Sequence, residues 1–185
     1  GYGLIETGRE SLENILRETS YKGFNVTIPY KREVMEFCNE IDDAAKKIGC
    51  VNTIVRNSEG RLHGYNTDLD GFIYAAKTAG IEFKGRKVLI CGNGGTSLTV
   101  QAAAESLGAA RITVVSRNGN VKYEDLNDYA DSEIIVNTTP VGMFPNNLEA
   151  PISLESFPNC LGVVDVIYNP RRTALIMDAE ERGIP

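Results

Sequence analysis

The sequence has few of the residues that build metal and disulfide sites. It contains one histidine and four cysteines among 185 residues, and no two cysteines form a C-x-x-C pair. Zinc sites usually combine such pairs with histidines, so we expect no metal. The cysteines lie in apolar or strand-like segments, and we expect them to be reduced thiols in the core, as in a cytoplasmic protein.

The chain also lacks long apolar runs and an excess of basic residues. No stretch approaches the length of a membrane span and no signal peptide is visible, so we predict no membrane partner. The net charge of −6 argues against a nucleic-acid partner, which needs a basic face. A few local cations still allow an acidic protein to bind anionic small molecules.

The composition and the ends of the chain set limits on its organisation. With 42% hydrophobic and 24% charged residues, the sequence is that of an ordinary globular protein. Its length allows one large domain, or a small domain beside a medium one. The sequence begins at Gly1 without a methionine and stops at Pro185 directly after a helical pattern. We therefore expect both ends to be cut.

Residues 1–70 carry short helix and strand patterns. Helical patterns cover the segment around Leu12, with Gly23 as its stop, the stripe from Val34 to Ile41, and a short helix that ends at Gly49. Strand patterns cover residues 24–28, which Pro29 ends, and a hairpin formed by residues 51–56 and 61–65. These elements predict a smaller α/β domain, incomplete at its N-terminus.

From residue 71 to residue 185 the pattern changes to short buried strands alternating with helices. A helix that Gly80 closes comes first, and the predicted strands are residues 87–91, 111–115, 133–137 and 163–166. Helical segments lie between several of them, at residues 97–107 and 124–129. This alternation is typical of a Rossmann-like doubly wound parallel sheet, so we place the domain boundary near Asp70.

A glycine-rich loop follows the first of these strands. The segment has the pattern G-x-G-x-x-S and consists of Gly92, Asn93, Gly94, Gly95, Thr96 and Ser97. Gly92 permits a tight turn, Gly94 lets the backbone approach a pyrophosphate, and small Ser97 lets the next helix pack on the strand. Its position between a strand and a helix predicts a dinucleotide-binding loop, the alternative being a plain glycine-rich turn.

The end of the second strand favours NADP over NAD as cofactor. An NAD site normally has Asp or Glu there, whereas this strand is followed by Ser116, Arg117 and Asn118. Arg117 is suited to a charge-assisted contact with a 2′-phosphate. The alternative is a solvated arginine at the end of a strand.

Lys31 and Asp68 form the candidate catalytic pair. Lys31 follows the strand that Pro29 ends, and Asp68 begins the helix that enters the second domain. Oxidation of a secondary alcohol needs a group that takes the hydroxyl proton as hydride leaves the carbon. Two roles for Lys31 stay open: it exchanges that proton itself, or it stabilises the alkoxide while Asp68 or water carries the proton.

Six motifs together resemble shikimate dehydrogenase, in this order: FNVTIPYK, VNT, GYNTD, G-x-G-G, NTTPVGM and DVIYNP. The resemblance implies NADP-dependent interconversion of 3-dehydroshikimate and shikimate in aromatic amino-acid biosynthesis. It implies that Lys31 is the catalytic acid/base and Asp68 its partner on the substrate hydroxyls. It matches Thr27, Asn52 and Tyr168 to substrate-binding positions. It matches residues 92–96, residues 116–118, Thr138 and Val166 to the stretches that contact the cofactor.

The sequence departs from the family pattern in three places. It lacks the N-terminal Ser-x-Ser pair and the C-terminal Gly-x-x-Met-Leu stretch, and it has Ser-Arg-Asn at residues 116–118 in place of Asn-Arg-Thr. Two other functions stay open: a quinate-preferring dehydrogenase that uses NAD or NADP, and a fragment that binds NADP without catalysis. Whether the protein is a monomer or a homodimer also stays open.

Overall fold

The structure, a computed structural model, describes residues 1–18 and 20–185. The chain forms two compact units, Gly1–Thr67 and Asp68–Pro185. Each unit has its own sheet and its own hydrophobic core.

The first unit is a four-stranded sheet flanked by short helices. Its elements are α1 (Arg9–Arg17), β1 (Gly23–Asn25), a 3-10 helix (Glu33–Phe37), β2 (Glu40–Ile41), α2 (Asp43–Ile48), β3 (Thr53–Arg56) and β4 (Leu62–Tyr65). The strand order is β1-β3-β4-β2, with antiparallel β1/β3 and β3/β4 pairs and a parallel β2/β4 pair. The predicted hairpin is therefore confirmed. The core joins Leu12 and Leu16 of α1 to buried residues of the sheet and of the helices that follow β1.

Three expectations for this unit were wrong in detail. Gly23 does not stop α1, which ends at Arg17, where the Arg56 side chain donates hydrogen bonds to the carbonyls of Leu16 and Glu18. The strand expected over residues 24–28 ends at Asn25, because the Tyr30 amide donates to the Thr27 carbonyl and closes a turn. The expected helical stripe breaks after Phe37, since the next residues pair with β4.

The second unit is a parallel sheet between two layers of helices and loops. Its elements are α3 (Asp68–Thr78), β5 (Lys87–Cys91), α4 (Gly95–Ser106), β6 (Arg111–Val115), a 3-10 helix (Tyr123–Tyr129), β7 (Ile134–Asn137), a 3-10 helix (Leu154–Ser156), β8 (Gly162–Asp165) and α5 (Ala174–Glu181). The strand order is β6-β5-β7-β8, and all pairs are parallel. The predicted doubly wound parallel sheet is confirmed.

Alternation along β5 shows how the sheet is covered on both faces. Val88 and Ile90 pack in one cluster with residues of α3 and α4, such as Phe72 and Ala103. Leu89 and Cys91 pack in the opposite cluster with residues of the last 3-10 helix and of α5. Strands buried on both faces read as continuous apolar runs, which is why the sequence revealed them.

Within residues 1–18 and 20–185, no helix combines the length and the apolar character that crossing a membrane requires. In the same part of the chain, no cluster of three His, Cys, Asp or Glu side chains is suited to a metal ion.

Candidate functional site

The carboxyl edge of the parallel sheet collects most of the predicted cofactor residues. The last residues of the four strands, Val115, Cys91, Asn137 and Asp165, lie side by side in register. In open parallel sheets, ligands bind in the crevice outside this edge. The loops that leave these four residues therefore form the candidate site of the second unit.

Gly92 turns the chain away from β5 in a geometry that other residues rarely adopt. Its φ angle is +103°, and an added Cβ would lie 2.8 Å from Thr138 Oγ1 and 3.0 Å from Thr139 Cγ2. The Gly92 amide donates to the Val115 carbonyl at 2.8 Å. Both the backbone angle and the close approach of the next loop therefore require glycine here.

Thr138 joins the loop after β7 to the end of β5. Its amide and its hydroxyl both donate to the Cys91 carbonyl, at 2.9 and 2.6 Å. The side chain is buried, at 7% exposure. The structure thus brings Thr138 next to Gly92, and the two predicted cofactor stretches lie side by side.

The helix after the glycine loop begins with small, uncharged residues. Gly94 is the N-cap of α4, and no side chain caps the helix there. An added Cβ on Gly94 would meet no described atom within 4 Å outside its immediate chain neighbours. Packing within the chain therefore does not demand this glycine, whereas close approach of a ligand to the backbone would. Ser97 is fully buried, as expected for the residue at the helix–strand contact.

The end of β6 carries a buried hydroxyl beside exposed polar residues. Ser116 is 4% exposed, and its Oγ has no hydrogen-bond partner among the described residues. Arg117 and Asn118 are exposed. Burial raises the pKa of the nearby Tyr123 to about 12, and the anionic form of Cys91 also raises it, whereas the Arg117 charge lowers it.

Val166 and Tyr168 lie in the loop after β8. The Val166 amide donates to the Asn137 carbonyl at 3.2 Å, and its side chain packs against the cluster on the α3/α4 face. Tyr168 is 87% exposed. Tyr168 thus lies in a loop that leaves the end of β8, as expected.

Two residues of this edge did not emerge from the sequence analysis as site residues. Asn137 is fully buried, and Asp165 is half-buried with four hydrogen bonds to its carboxylate. Burial raises the pKa of Asp165, and its bonds from Ile167, Thr173 and Asn137 lower it in part. The signal that could have found them is a polar residue at the last position of a buried parallel strand.

In the first unit, the predicted substrate residues lie on two neighbouring segments. The Val26 amide donates to the Asn52 carbonyl and the Val51 amide to the Lys31 carbonyl, each at 2.7 Å. Thr27 is exposed and Lys31 is half-buried. Thr27, Lys31 and Asn52 are thus held together by backbone hydrogen bonds that join the turn after β1 to the segment before β3.

The Asn52 side chain holds the end of this unit in place. Its Oδ1 accepts from the Thr67 amide at 2.9 Å and from the Thr53 hydroxyl at 3.1 Å. Its Nδ2 donates to Thr67 Oγ1 at 3.0 Å. Asn52 is only 8% exposed, so its amide has a structural role in addition to the substrate contact that the resemblance implies.

Asp68 is the first residue of α3, where its negative charge interacts favourably with the positive end of the helix dipole. It belongs to the second unit, and Lys31 belongs to the first. Their pairing on one substrate therefore stays a prediction.

Several known proteins that are similar to this chain are described as shikimate dehydrogenases. Residues 1–54 match the family described as the shikimate dehydrogenase substrate binding domain. A shikimate dehydrogenase (NADP(+)) from Caldanaerobacter subterraneus is 34% identical, over 99% of this chain and 73% of the relative.

Solved structures agree with the sequence relatives. Shikimate dehydrogenase 1 from Peptoclostridium difficile superposes with a TM-score of 0.89 at 32% identity, over 97% of this chain and 71% of that one. Shikimate 5-dehydrogenase from Thermus thermophilus, solved in complex with NADP(H) and shikimate, has a TM-score of 0.83 at 30% identity, with 96% and 71% covered. The fold, the glycine loop and these likenesses together establish that the chain belongs to the shikimate dehydrogenase family.

Proposed function

We propose that this chain catalyses the reversible NADP-dependent reduction of 3-dehydroshikimate to shikimate, a step of aromatic amino-acid biosynthesis. The proposal rests on the arrangement of residues at the carboxyl edge of the parallel sheet, in a chain that belongs to this family. There, Gly92, Thr138 and the start of α4 form a surface suited to a dinucleotide. The chain spans 67–73% of the length of the curated relatives it matches.

Two features of the second unit fit NADP. The backbone at Gly94 is open to close approach, and the first turn of α4 can receive a pyrophosphate at its positive end. Ser116 Oγ is buried without a described partner, beside exposed Arg117 and Asn118. These three residues would hold the adenosine 2′-phosphate, with Arg117 as the charged contact. Thr138 and Val166 would line the same groove.

In this proposal, each of the two predicted domains binds one of the two ligands. Residues 1–70 would bind the substrate, mainly through Thr27, Lys31 and Asn52, with Tyr168 as a contact from the second domain. Residues 71–185 would bind NADP. The hydroxyl, amide and ammonium groups of these residues are suited to hydrogen bonds with a polyhydroxylated acid.

The chemical step places one proton and one hydride on the substrate carbonyl. NADPH, when bound, would supply the hydride chemistry at the carbonyl carbon. Lys31 would donate the proton to the carbonyl oxygen, and Asp68 would bind a neighbouring hydroxyl and orient the ring. In the alternative mechanism, the Lys31 charge stabilises the developing alkoxide and the proton comes from Asp68 or water.

The test of this proposal is the loss of NADPH absorbance with 3-dehydroshikimate as substrate. Lys31→Ala should lower turnover ~10²–10⁴-fold, the usual contribution of a general acid–base group, and leave NADPH affinity unchanged. Arg32→Ala is the matched control, because Arg32 is the exposed neighbouring cation. An unaltered rate in Lys31→Ala would refute the role of Lys31.

The same assay separates the alternatives. Faster oxidation of quinate than of shikimate, or a preference for NAD, would indicate a quinate dehydrogenase. NADPH binding without turnover would indicate a non-catalytic chain. Light scattering of the purified protein would decide between a monomer and a homodimer.

A further inference from the structure

We infer that Asp165 is a positioning residue that fixes the two loops bearing Thr138, Val166 and Tyr168 at the carboxyl edge of the parallel sheet. This inference rests on the proposed function, because those loops carry the proposed cofactor and substrate contacts. Asp165 itself would touch neither ligand. It acts through Asn137 and Thr173.

The carboxylate of Asp165 is surrounded by donors. Asn137 Nδ2 lies 3.2 Å from each of its oxygens. The Ile167 amide donates to Oδ1 at 3.0 Å, and the Thr173 hydroxyl donates to Oδ2 at 2.8 Å. Within residues 1–18 and 20–185, Asp165 forms no ion pair with a Lys, Arg or His side chain. Neutral donors alone therefore hold this half-buried anion.

Hydrogen bonds fix the orientation of the Asn137 side-chain amide. Its Oδ1 accepts from the amide and the hydroxyl of Thr139, at 2.9 and 2.7 Å. Its Nδ2 must therefore face Asp165 and the Val141 carbonyl, which lies at 3.2 Å. Through Asn137, the carboxylate orders the loop that begins with Thr138.

The loop after β8 is held by Asp165 at both of its ends. Ile167 follows Asp165 by two residues, and Thr173 is the N-cap of α5, where its Oγ1 accepts from the Ile176 amide at 3.3 Å. Residues 166–172, which include Tyr168, are thus closed between two bonds to one carboxylate. The Phe144 amide also donates to the Asn169 carbonyl at 3.1 Å and links this loop to the loop after β7.

The polarity of these contacts predicts what an amide would do at position 165. All four hydrogen bonds reach Asp165 from donors, so both of its oxygens must accept. Asparagine has the same size and only one acceptor atom. In either orientation, its NH₂ group would face a donor of Asn137 and a second donor from Ile167 or Thr173. Asp165→Asn should therefore release at least one loop without creating a cavity.

The experiment compares Asp165→Asn with Asp131→Asn in the full chain. Asp131 is a carboxylate at the opposite edge of the same sheet, bonded to Lys87 and Arg111. We expect Asp165→Asn to lower kcat/KM for NADPH about 10- to 100-fold, the cost of misplaced contact groups. Asp131→Asn should lower thermal stability and leave kcat and KM for NADPH unchanged.

Amide hydrogen exchange supplies a readout that is independent of activity. Exchange in Asp165→Asn should accelerate at residues 138–142 and 166–172 and stay unchanged in β5 and α4. Unchanged exchange in both loops, or a loss of stability with unchanged kcat and KM, would overturn the inference. An inactive wild-type chain would instead count against the proposed function, and the exchange result would still decide the role of Asp165.

A milder variant covers the case in which Asp165→Asn does not fold. Thr173→Val removes the hydroxyl that donates to Asp165 and keeps the size of the side chain. It should raise KM for NADPH by a smaller factor and accelerate exchange at residues 166–172 alone. Because Thr173 is also a helix cap, the control is Asp42→Ala, which removes the cap of α2 in the other unit. Equal effects of the two variants on KM and on loop exchange would contradict the inference.

Discussion

The two edges of the parallel sheet differ in how their charged side chains are paired. At the amino edge, where β5 and β6 begin, Lys87 bonds to Asp131 at 2.7 Å, Arg111 bonds to Asp131, and Arg86 bonds to Glu133 at 2.6 Å. At the carboxyl edge, Asp165 is held by neutral donors only, and Arg117 forms no ion pair with any described residue.

The pKa values of the carboxylates follow from this difference. Hydrogen bonds from Arg111 and Lys87 hold the pKa of Asp131 far below its usual range, and Arg86 lowers that of Glu133. Burial raises the pKa of Asp165. The amino edge therefore satisfies its charges within the protein. At the carboxyl edge, the Arg117 charge has no ion pair and the Ser116 hydroxyl has no hydrogen-bond partner among the described residues, so a ligand can satisfy both. This contrast agrees with the general placement of binding sites in parallel sheets.

We expect the largest effect from a side chain added at Gly92, in the turn after β5 at the carboxyl edge. Gly92→Ala would strain a φ of +103° and press a Cβ against Thr138 and Thr139. We expect a loss of stability of about 1–3 kcal/mol, together with loss of NADPH binding. Chemical denaturation and titration with NADPH measure the two effects. Gly94→Ala is the matched control, because it meets no described atom and should lower NADPH affinity without loss of stability. Equal stability losses in the two variants would contradict this account of the loop.

The next prediction concerns Arg117, the carboxyl-edge cation that has no ion pair with a described residue, and its proposed contact with the 2′-phosphate. Arg117→Ala should raise KM for NADPH about 10- to 100-fold and leave KM for NADH unchanged, because a charge-assisted hydrogen bond contributes about 1.5–3 kcal/mol. Arg111→Ala at the amino edge should change neither constant. A parallel rise for both cofactors in Arg117→Ala would exclude a contact to the 2′-phosphate.

The smallest expected effect is a difference in pH dependence between the two edges. Asp131 has a lowered pKa in the folded state, so its stabilising contribution is present above its ordinary pKa near 3.8 and is lost as the pH falls. Asp165 has a raised pKa, so its contribution is largest in acid and declines as the pH rises from 3.8 through its folded-state value.

Denaturation of the wild type, Asp131→Asn and Asp165→Asn from about pH 3 to about pH 7 tests these opposite slopes. The stability difference between wild type and Asp131→Asn should shrink as the pH falls. The difference between wild type and Asp165→Asn should grow. Slopes of the same sign would show that the two carboxylates do not differ as the structure indicates.

The sequence was most informative where local pattern and tertiary environment agree. β5 and β6 have the predicted bounds, because both are short and largely apolar runs, and β5 is buried on both faces from Val88 to Cys91. The predictions failed at the turn of residues 27–30, which a local hydrogen bond from the Tyr30 amide to the Thr27 carbonyl closes, and after Phe37, where pairing with β4 replaced the helical preference. Lys31 and Asp68 keep their predicted roles as hypotheses.

The amino-acid sequence by itself determined the parallel sheet and the glycine loop after β5, because both follow from the order of residues along one segment. Only the tertiary structure decided that Asn137, Asp165 and Thr173 form one hydrogen-bonded group. Their meeting depends on the register between β7 and β8 and on where α5 begins. These alignments arise when separate segments pack their apolar faces together, and no single segment encodes them.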